Sequence, residues 1–199
     1  MAKTETKAPK APSNKVKHLT TPLTTEKVKD LKAGDMVMLS GTIYTGRDMA
    51  HKKMVEALDA KEPLPMDIKD QIIYYVGPCP PKPGQAMGSC GPTSSYRMDP
   101  YAPQLLDQGL KGMIGKGPRA PEVIEAMKKN QAVYFAAIGG AAAIIAHSVE
   151  KAEPIAYQDL GPEAIYKIEI KDFFCIVAID SQGNDLYKTG PPKYRKTKA

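Results

Sequence analysis

The sequence has few of the residues from which metal sites and disulfide frameworks are built. Its 199 residues include no tryptophan, three histidines and three cysteines, and Cys79, Cys90 and Cys175 form no CxxC pair. Because zinc and iron–sulfur centres usually take four ligands, neither is expected within this chain alone. An odd, scattered set of cysteines also argues against a disulfide framework.

Long apolar runs are missing as well. No run approaches the roughly 20 residues that a membrane helix requires. Residues 1–18 have no apolar segment of the kind that a secretory signal contains. We therefore expect a cytoplasmic protein with no membrane-spanning segment.

Excess positive charge is confined to the two ends. The net charge is +6, of which residues 1–18 contribute +4 and residues 188–199 contribute +5, so the residues between them carry −3. A nucleic-acid-binding domain presents a basic surface on its folded part, and no nucleic acid partner is therefore expected. We predict a disordered basic tail over 1–18, a single domain over 19–187 and a basic tail over 188–199.

Apolar segments of strand length alternate with segments of helix length, and glycine or proline marks most junctions. The strand-like segments are 36–45, 71–77, 112–117, 132–140 and 164–188, and the helix-like segments are 49–62, 99–109, 120–130 and 141–153. Asp48 is placed to cap the first helix, and the last is expected to be largely buried with His147 packed in it. The pattern predicts one compact α/β domain, and the turn at 180–184 favours a mixed sheet.

Three glycine-marked loops, 44–51, 88–99 and 114–118, follow predicted strands. Ligands bind at such loops in α/β sheets because backbone N–H groups and helix N-termini converge there. The loops carry three cations and three hydroxyl side chains: Arg47, Arg97, Lys116, Thr93, Ser94 and Ser95. Two guanidiniums and an ammonium facing one pocket would suit a small dianion, since arginine binds carboxylates through paired hydrogen bonds. The alternative for each arginine alone is a surface ion pair.

Other chemistries fit these loops less well. Neither GxxxxGK[ST] nor GxGxxG is present, which argues against a nucleotide phosphate site. Cys90 as a nucleophile would need a histidine partner, and the sequence places neither His51 nor His147 beside it. His51 follows Asp48 on the same predicted helix face, where it either orients the arginine loop or is a structural histidine.

Five segments together carry a resemblance to a known family. They are "SGTIYTGRDMAHKK" (40–53), "GPTSSYRMDPY" (91–101), "IGKGP" (114–118), "AAIGGAAAIIAHSV" (136–149) and "LGPEAIYKIEIKDFFCIVAIDSQGND" (160–185). In this order, across about residues 20–187, the chain resembles the β subunit of class I, iron–sulfur-dependent fumarate hydratases. That subunit corresponds to the C-terminal domain of the single-chain enzymes and is closely similar to the β subunit of L(+)-tartrate dehydratase.

The resemblance implies an activity and a partner. It implies the reversible hydration of fumarate to L-malate, a swivelling β/β/α-type fold and an α2β2 assembly. It also implies that a [4Fe–4S] cluster is held by three cysteines of the α subunit and not by this chain. A tartrate dehydratase β subunit is the near alternative, and a non-catalytic dicarboxylate-binding module is a further one.

The resemblance also implies roles for individual residues. Thr93 matches a threonine that takes part in proton abstraction alongside an α-subunit aspartate, and Ser94 stands where the family often has a second threonine that bonds the substrate. The cations that match the family's carboxylate-binding residues are Arg47, Arg97 and Lys116. His51 and Asp48 belong to the motif as supporting residues. Tyr96 is bulky where a small residue is expected, so it either narrows the pocket or points away.

Overall fold

A computed structural model describes residues 15–195 of the chain. The strands in that range are β1 (Lys17–Thr20), β2 (Met36–Thr45), β3 (Ile72–Tyr74), β4 (Gly112–Gly115), β5 (Val133–Ala136), β6 (Val149–Ala156) and β7 (Ile165–Ile179). The α-helices are α1 (Thr25–Val28), α2 (Asp48–Asp59), α3 (Ala102–Asp107), α4 (Pro121–Asn130), α5 (Ala142–Ala146), α6 (Leu186–Thr189) and α7 (Pro191–Tyr194). Two 3₁₀ helices, Ser95–Met98 and Gln158–Glu163, lie in the loops.

The strands form one mixed sheet in the order β1-β2-β3-β4-β5-β7-β6. Neighbours from β1 to β5 are parallel, whereas β7 is antiparallel to each of its partners. Because β7 pairs with both β5 and β2, five strands close into a small barrel-like ring. The prediction of a single mixed α/β domain is confirmed, and the swivelling β/β/α type stays a prediction.

Alternate residues of the strands fill two separate apolar clusters. Ile72 and Tyr74 belong to the cluster that the ring encloses, and Ile73 between them belongs to the cluster beneath α2, α3 and α4. This alternation is the period-two geometry of a strand, and it covers the sheet on both faces. Met54 and Leu105 are fully buried in the second cluster, and each contributes about 1.5–3 kcal/mol of burial free energy. The packed helices thereby hold the strand ends in place.

The segment 141–153 does not form the predicted buried helix. Helix α5 ends at Ala146, and strand β6 begins at Val149. Ile144 is 74% exposed and His147 is exposed at the helix end, so the prediction that His147 packs in a helix is wrong. β6 pairs with β7, and this partner, distant in sequence, overrides the local helical pattern.

Regular structure extends into both predicted tails. β1 begins at Lys17, inside the predicted tail 1–18, and pairs with β2, while helix α7 lies inside the predicted tail 188–199. The remainder of the two tail predictions, residues 1–14 and 196–199, lies outside the described residues. No helix between residues 15 and 195 is long and apolar enough to cross a membrane.

A candidate active site at the carboxyl ends of the parallel strands

Strands β2, β3 and β4 bring the three predicted loops to one edge of the sheet. The strands are parallel neighbours, so their carboxyl ends lie together. The Thr93 N–H donates to the carbonyl of Tyr75, which directly follows β3, with the nitrogen 2.7 Å from the oxygen. Ser94 pairs with Lys116 as an isolated parallel bridge at the end of β4. The structure therefore brings Thr93, Ser94 and Lys116 together.

Asp48 links the two arginine loops. Its Oδ1 accepts a hydrogen bond from Arg97 Nε at 2.8 Å, and its Oδ2 lies 3.6 Å from Arg47 Nε. The prediction that Asp48 caps α2 is wrong, because Arg47 occupies the cap position and no side-chain cap hydrogen bond forms. The carboxylate is engaged by the arginines instead, in the first turn of the helix, where a negative charge is favourable.

Arg47 has two acidic neighbours, but not all of its N–H groups are hydrogen-bonded within the described residues. Its Nη2 lies 3.5 Å from Glu163 Oε1, and its buried Nε has no hydrogen-bond partner among the described residues. A Cβ atom at Gly77 would lie 2.6 Å from Arg47 Nη1, so only glycine lets the guanidinium approach this backbone. Glu163 also accepts the Met49 N–H at 3.0 Å, which ties the Arg47 loop to the segment before β7.

Lys116 is an exposed cation of the site, as Arg97 is. No carboxylate in the described part of the chain pairs with its ammonium group, and its side chain passes over Gly139 of the loop after β5. Beside it, Thr93 and Ser94 are half-buried. Lys116 is thus a cationic residue beside two hydroxyl-bearing residues, and such a set can bind a carboxylate by charge and by hydrogen bonds.

His51 is buried and contacts the arginine loop from inside the protein. Its Nδ1 is 2.8 Å from the Arg47 carbonyl, and a carbonyl can only accept, so Nδ1 donates. Burial lowers the pKa of His51 to about 4; the charge of Arg119 also lowers it, and the Arg47 carbonyl and Asp48 oppose the shift. The ring packs edge-on against Tyr75, with centroids 5.1 Å apart. His51 is therefore neutral at neutral pH and orients the Arg47 backbone.

A second layer of this site was not predicted from the sequence. Arg119 is completely buried: its Nε donates to Asp99 Oδ1 at 2.6 Å, and its guanidinium lies over the rings of Tyr75 and Tyr134. Ser95, also buried, donates its N–H to the Lys116 carbonyl. The position of Arg119 directly after the "IGKGP" loop was the signal that could have identified it.

The cysteines do not supply a metal site. Burial raises the pKa of Cys90 to about 12, with a further contribution from Cys79, and burial also raises the pKa of Cys175. Thiolates are the form that binds metal and attacks as a nucleophile, so these buried thiols suit neither task. Between residues 15 and 195 no group of three or more His, Cys, Asp or Glu is arranged to hold a metal ion. The described residues therefore do not fit an iron–sulfur cluster.

Exposed apolar side chains lie on the segments that follow β2, β3 and β5, and we call them the apolar rim. Its members lie at or after the carboxyl ends of the parallel strands: Met49 (43% exposed), Tyr96 (64%), Ile138 (50%) and Ile144 (74%). Ile138 and Ile144 line one surface pocket, and exposed apolar side chains grouped in this way indicate an interaction surface. Tyr96 is mostly exposed, and we include it in this rim.

Comparison with known proteins adds an independent finding. Residues 2–190 match the family described as "Fumarase C-terminus". The aerobic class I fumarate hydratase of Salmonella typhimurium is 46% identical over 152 residues, which cover 75% of this chain and 26% of that protein. Fumarate hydratase 2 of Leishmania major is 40% identical over 164 residues, covering 81% of this chain and 29% of that protein.

A third relative is matched over most of its own length, unlike the two fumarate hydratases. A Methanocaldococcus jannaschii protein with the provisional name L(+)-tartrate dehydratase subunit beta is 40% identical over 172 residues, covering 83% of this chain and 88% of that protein. The chain thus spans about a quarter of the length of the fumarate hydratases it matches, but most of the length of this β subunit.

Proposed function

Because this chain belongs to the Fumarase C-terminus family, we propose that it is the β-type part of a class I fumarate hydratase, which interconverts fumarate and L-malate. The observation that carries the proposal is the backbone pairing of Lys116 with Ser94, which follows Thr93, in a site that also contains Arg47 and Arg97. The Lys116 ammonium has no carboxylate partner among residues 15–195. A hydration of this kind acts on a dicarboxylate, and the site provides three cations, two of which also contact Asp48.

The cations bind and stabilise charge. Lys116 and Arg97 are the exposed cations and hold the two carboxylates. Arg47 is half-buried and adds a third positive charge to the site. Removal of a proton next to a carboxylate creates a dianionic aci-carboxylate, and cations held in place before the reaction stabilise it without reorganisation. Asp48 keeps both guanidiniums oriented through its two oxygens.

Thr93 is proposed as the catalytic residue of this chain. Its backbone is anchored on Tyr75, so the side chain is held in a defined place. A threonine hydroxyl is a poor base by itself, and it needs a neighbouring group to receive its proton. No side chain among residues 15–195 forms a hydrogen bond with this hydroxyl, so we assign the terminal base to a partner. Ser94 donates a hydrogen bond to the substrate.

The apolar rim supports a partner that closes over this site. We propose that this partner is the cluster-bearing α subunit or α-type domain, because the thiols of the described residues do not fit an iron–sulfur cluster. Contact with the partner would cover Met49, Tyr96, Ile138 and Ile144. The chain is then inactive alone, and an α2β2 assembly is expected.

A β subunit of L(+)-tartrate dehydratase is the second candidate. The similarity in length to the Methanocaldococcus protein favours it, and the same cations would bind a dihydroxy dicarboxylate. We retain fumarate as the first choice because the fumarate hydratases reach the higher identity.

The test is an anaerobic assay of the chain alone and of the chain assembled with its cluster-loaded α partner. We expect fumarate consumption in the assembly only, abolished by Thr93→Ala and strongly weakened by Lys116→Ala. Lys128→Ala is the control, because Lys128 is an exposed lysine of α4 that pairs with Glu125. Activity on L(+)-tartrate and not on fumarate would move the assignment to the second candidate. Failure to associate, with dicarboxylate binding by the chain alone, would indicate a binding module instead.

A further inference from the structure

The Lys116–Gly117 backbone is hydrogen-bonded at all four of its polar groups. Lys116 N–H donates to Ser95 Oγ at 3.1 Å, and Ser95 N–H donates to the Lys116 carbonyl at 2.9 Å. Gly117 N–H donates to the hydroxyl oxygen of Tyr187 at 2.9 Å. The Gly117 carbonyl accepts from the hydroxyl of Tyr134, also at 2.9 Å. At these two residues, the backbone of the loop that carries Lys116 is therefore as completely hydrogen-bonded as the backbone of a strand inside a sheet.

Two of the three supporting residues belong to the buried layer. Tyr134 has one hydroxyl proton, which goes to Gly117, so the 2.9 Å contact between the hydroxyls of Ser95 and Tyr134 is a bond that Ser95 donates. Both residues are fully buried. Their removal would disturb the core as well as the loop.

Tyr187 is different, because it comes from helix α6, 70 residues further along the chain, and is 36% exposed. Its own position is set by Asp185, which is 4% exposed and whose carboxylate accepts the Tyr187 N–H at 2.9 Å. The partner that it binds, Gly117, has a φ of +83°, which glycine adopts readily because it has no Cβ and can take many backbone conformations. The Tyr187 hydroxyl removes that freedom next to Lys116.

We propose that Tyr187 is a positioning residue that sets the affinity of Lys116 for a substrate carboxylate, acting through the Gly117 N–H. The inference rests on the proposed function, in which Lys116 binds one carboxylate. We take that carboxylate to be the one distant from the carbon that loses its proton, so its charge is the same in the bound substrate and in the transition state. Loss of the contact therefore raises KM and leaves kcat nearly unchanged.

The experiment compares Tyr187→Phe, Lys116→Ala and the double variant with the wild type, each assembled with the partner subunit. Tyr194→Phe is the matched control: Tyr194 lies nearby on α7, is 80% exposed, and its hydroxyl has no hydrogen bond in the described part of the chain. We expect Tyr187→Phe to raise KM about fivefold, the effect of losing one hydrogen bond, with kcat changed less than about twofold. In the Lys116→Ala background it should raise KM no further.

Each outcome decides the proposal. An unchanged KM in Tyr187→Phe, or an equal effect of Tyr187→Phe with and without Lys116, would overturn it, because a true positioning effect disappears with its target. If the wild-type assembly converts neither fumarate nor tartrate, the proposed function fails separately. Amide hydrogen exchange over 113–120 then decides whether Tyr187 restrains the loop. Faster exchange in Tyr187→Phe than in Tyr194→Phe supports the restraint, and equal exchange refutes it.

Discussion

The substitution His51→Asn should remove a pH dependence of stability that the wild-type chain carries. The asparagine amide N–H takes the place of Nδ1 and can still donate to the Arg47 carbonyl, which His51 contacts at 2.8 Å. Asparagine does not titrate, so only the protonation of the buried ring is lost. The smaller side chain lowers stability by an amount that does not depend on pH.

The magnitude follows from the buried position of His51. Its pKa falls from 6.5 to about 4 on folding, with burial as the largest cause. Because the folded-state pKa is the lower one, the unfolded chain binds the proton first as the pH falls. The contribution of this group is therefore fully present above about pH 6.5 and is lost as the pH falls toward about 4. At about 1.4 kcal/mol for each pKa unit, the full loss is about 3 kcal/mol.

The assay is urea unfolding of the purified chain, followed by far-UV circular dichroism, at several pH values. Between about pH 7.5 and about pH 5, the wild type should lose about 2 kcal/mol more than His51→Asn does. Other titrating groups are common to both proteins and cancel in the difference. Parallel stability curves would refute the reasoning, since they would mean that the histidine keeps its ordinary pKa when folded.

Three further predictions concern the buried layer and the apolar rim. Arg119→Met should lower the free energy of unfolding in urea by about 3–5 kcal/mol, because the Asp99 carboxylate loses its ion-pair partner and keeps only the Ala120 N–H; a loss below about 1 kcal/mol would contradict this. Gly115→Ala should cost about 1–3 kcal/mol in the same assay, since the new Cβ would lie 2.0 Å from Ser95 Oγ, and unchanged stability would mean that Ser95 can move aside. Ile144→Asp should leave the stability of the isolated chain within about 0.5 kcal/mol. It should also weaken association with the partner at least about tenfold in a binding titration; unchanged association would exclude Ile144 from the interface.

Much of the fold could be predicted from local patterns. The strand 132–140 and the helix 120–130 were located within a few residues, because each combines an apolar period with terminal glycine or proline. The helix predicted over 141–153 was wrong because the segment has an alanine-rich start and no local sign that β7 would pair with it. Strand β1 was missed because the four residues from Lys17 to Thr20 are too short and polar to be recognised.

The sequence alone determined the family, the α/β class and the positions of the glycine-marked loops, because these are written in contiguous motifs, and the family assignment is confirmed. The tertiary structure decided how residues far apart in the chain contact one another. It placed Asp48 between two arginines, left Lys116 without a carboxylate in the described range, and set Tyr187 against Gly117. These contacts depend on long-range strand pairing, of β2, β3 and β4 for the loops and of β5 with β7 for the segment that carries Tyr187, and no local pattern encodes it.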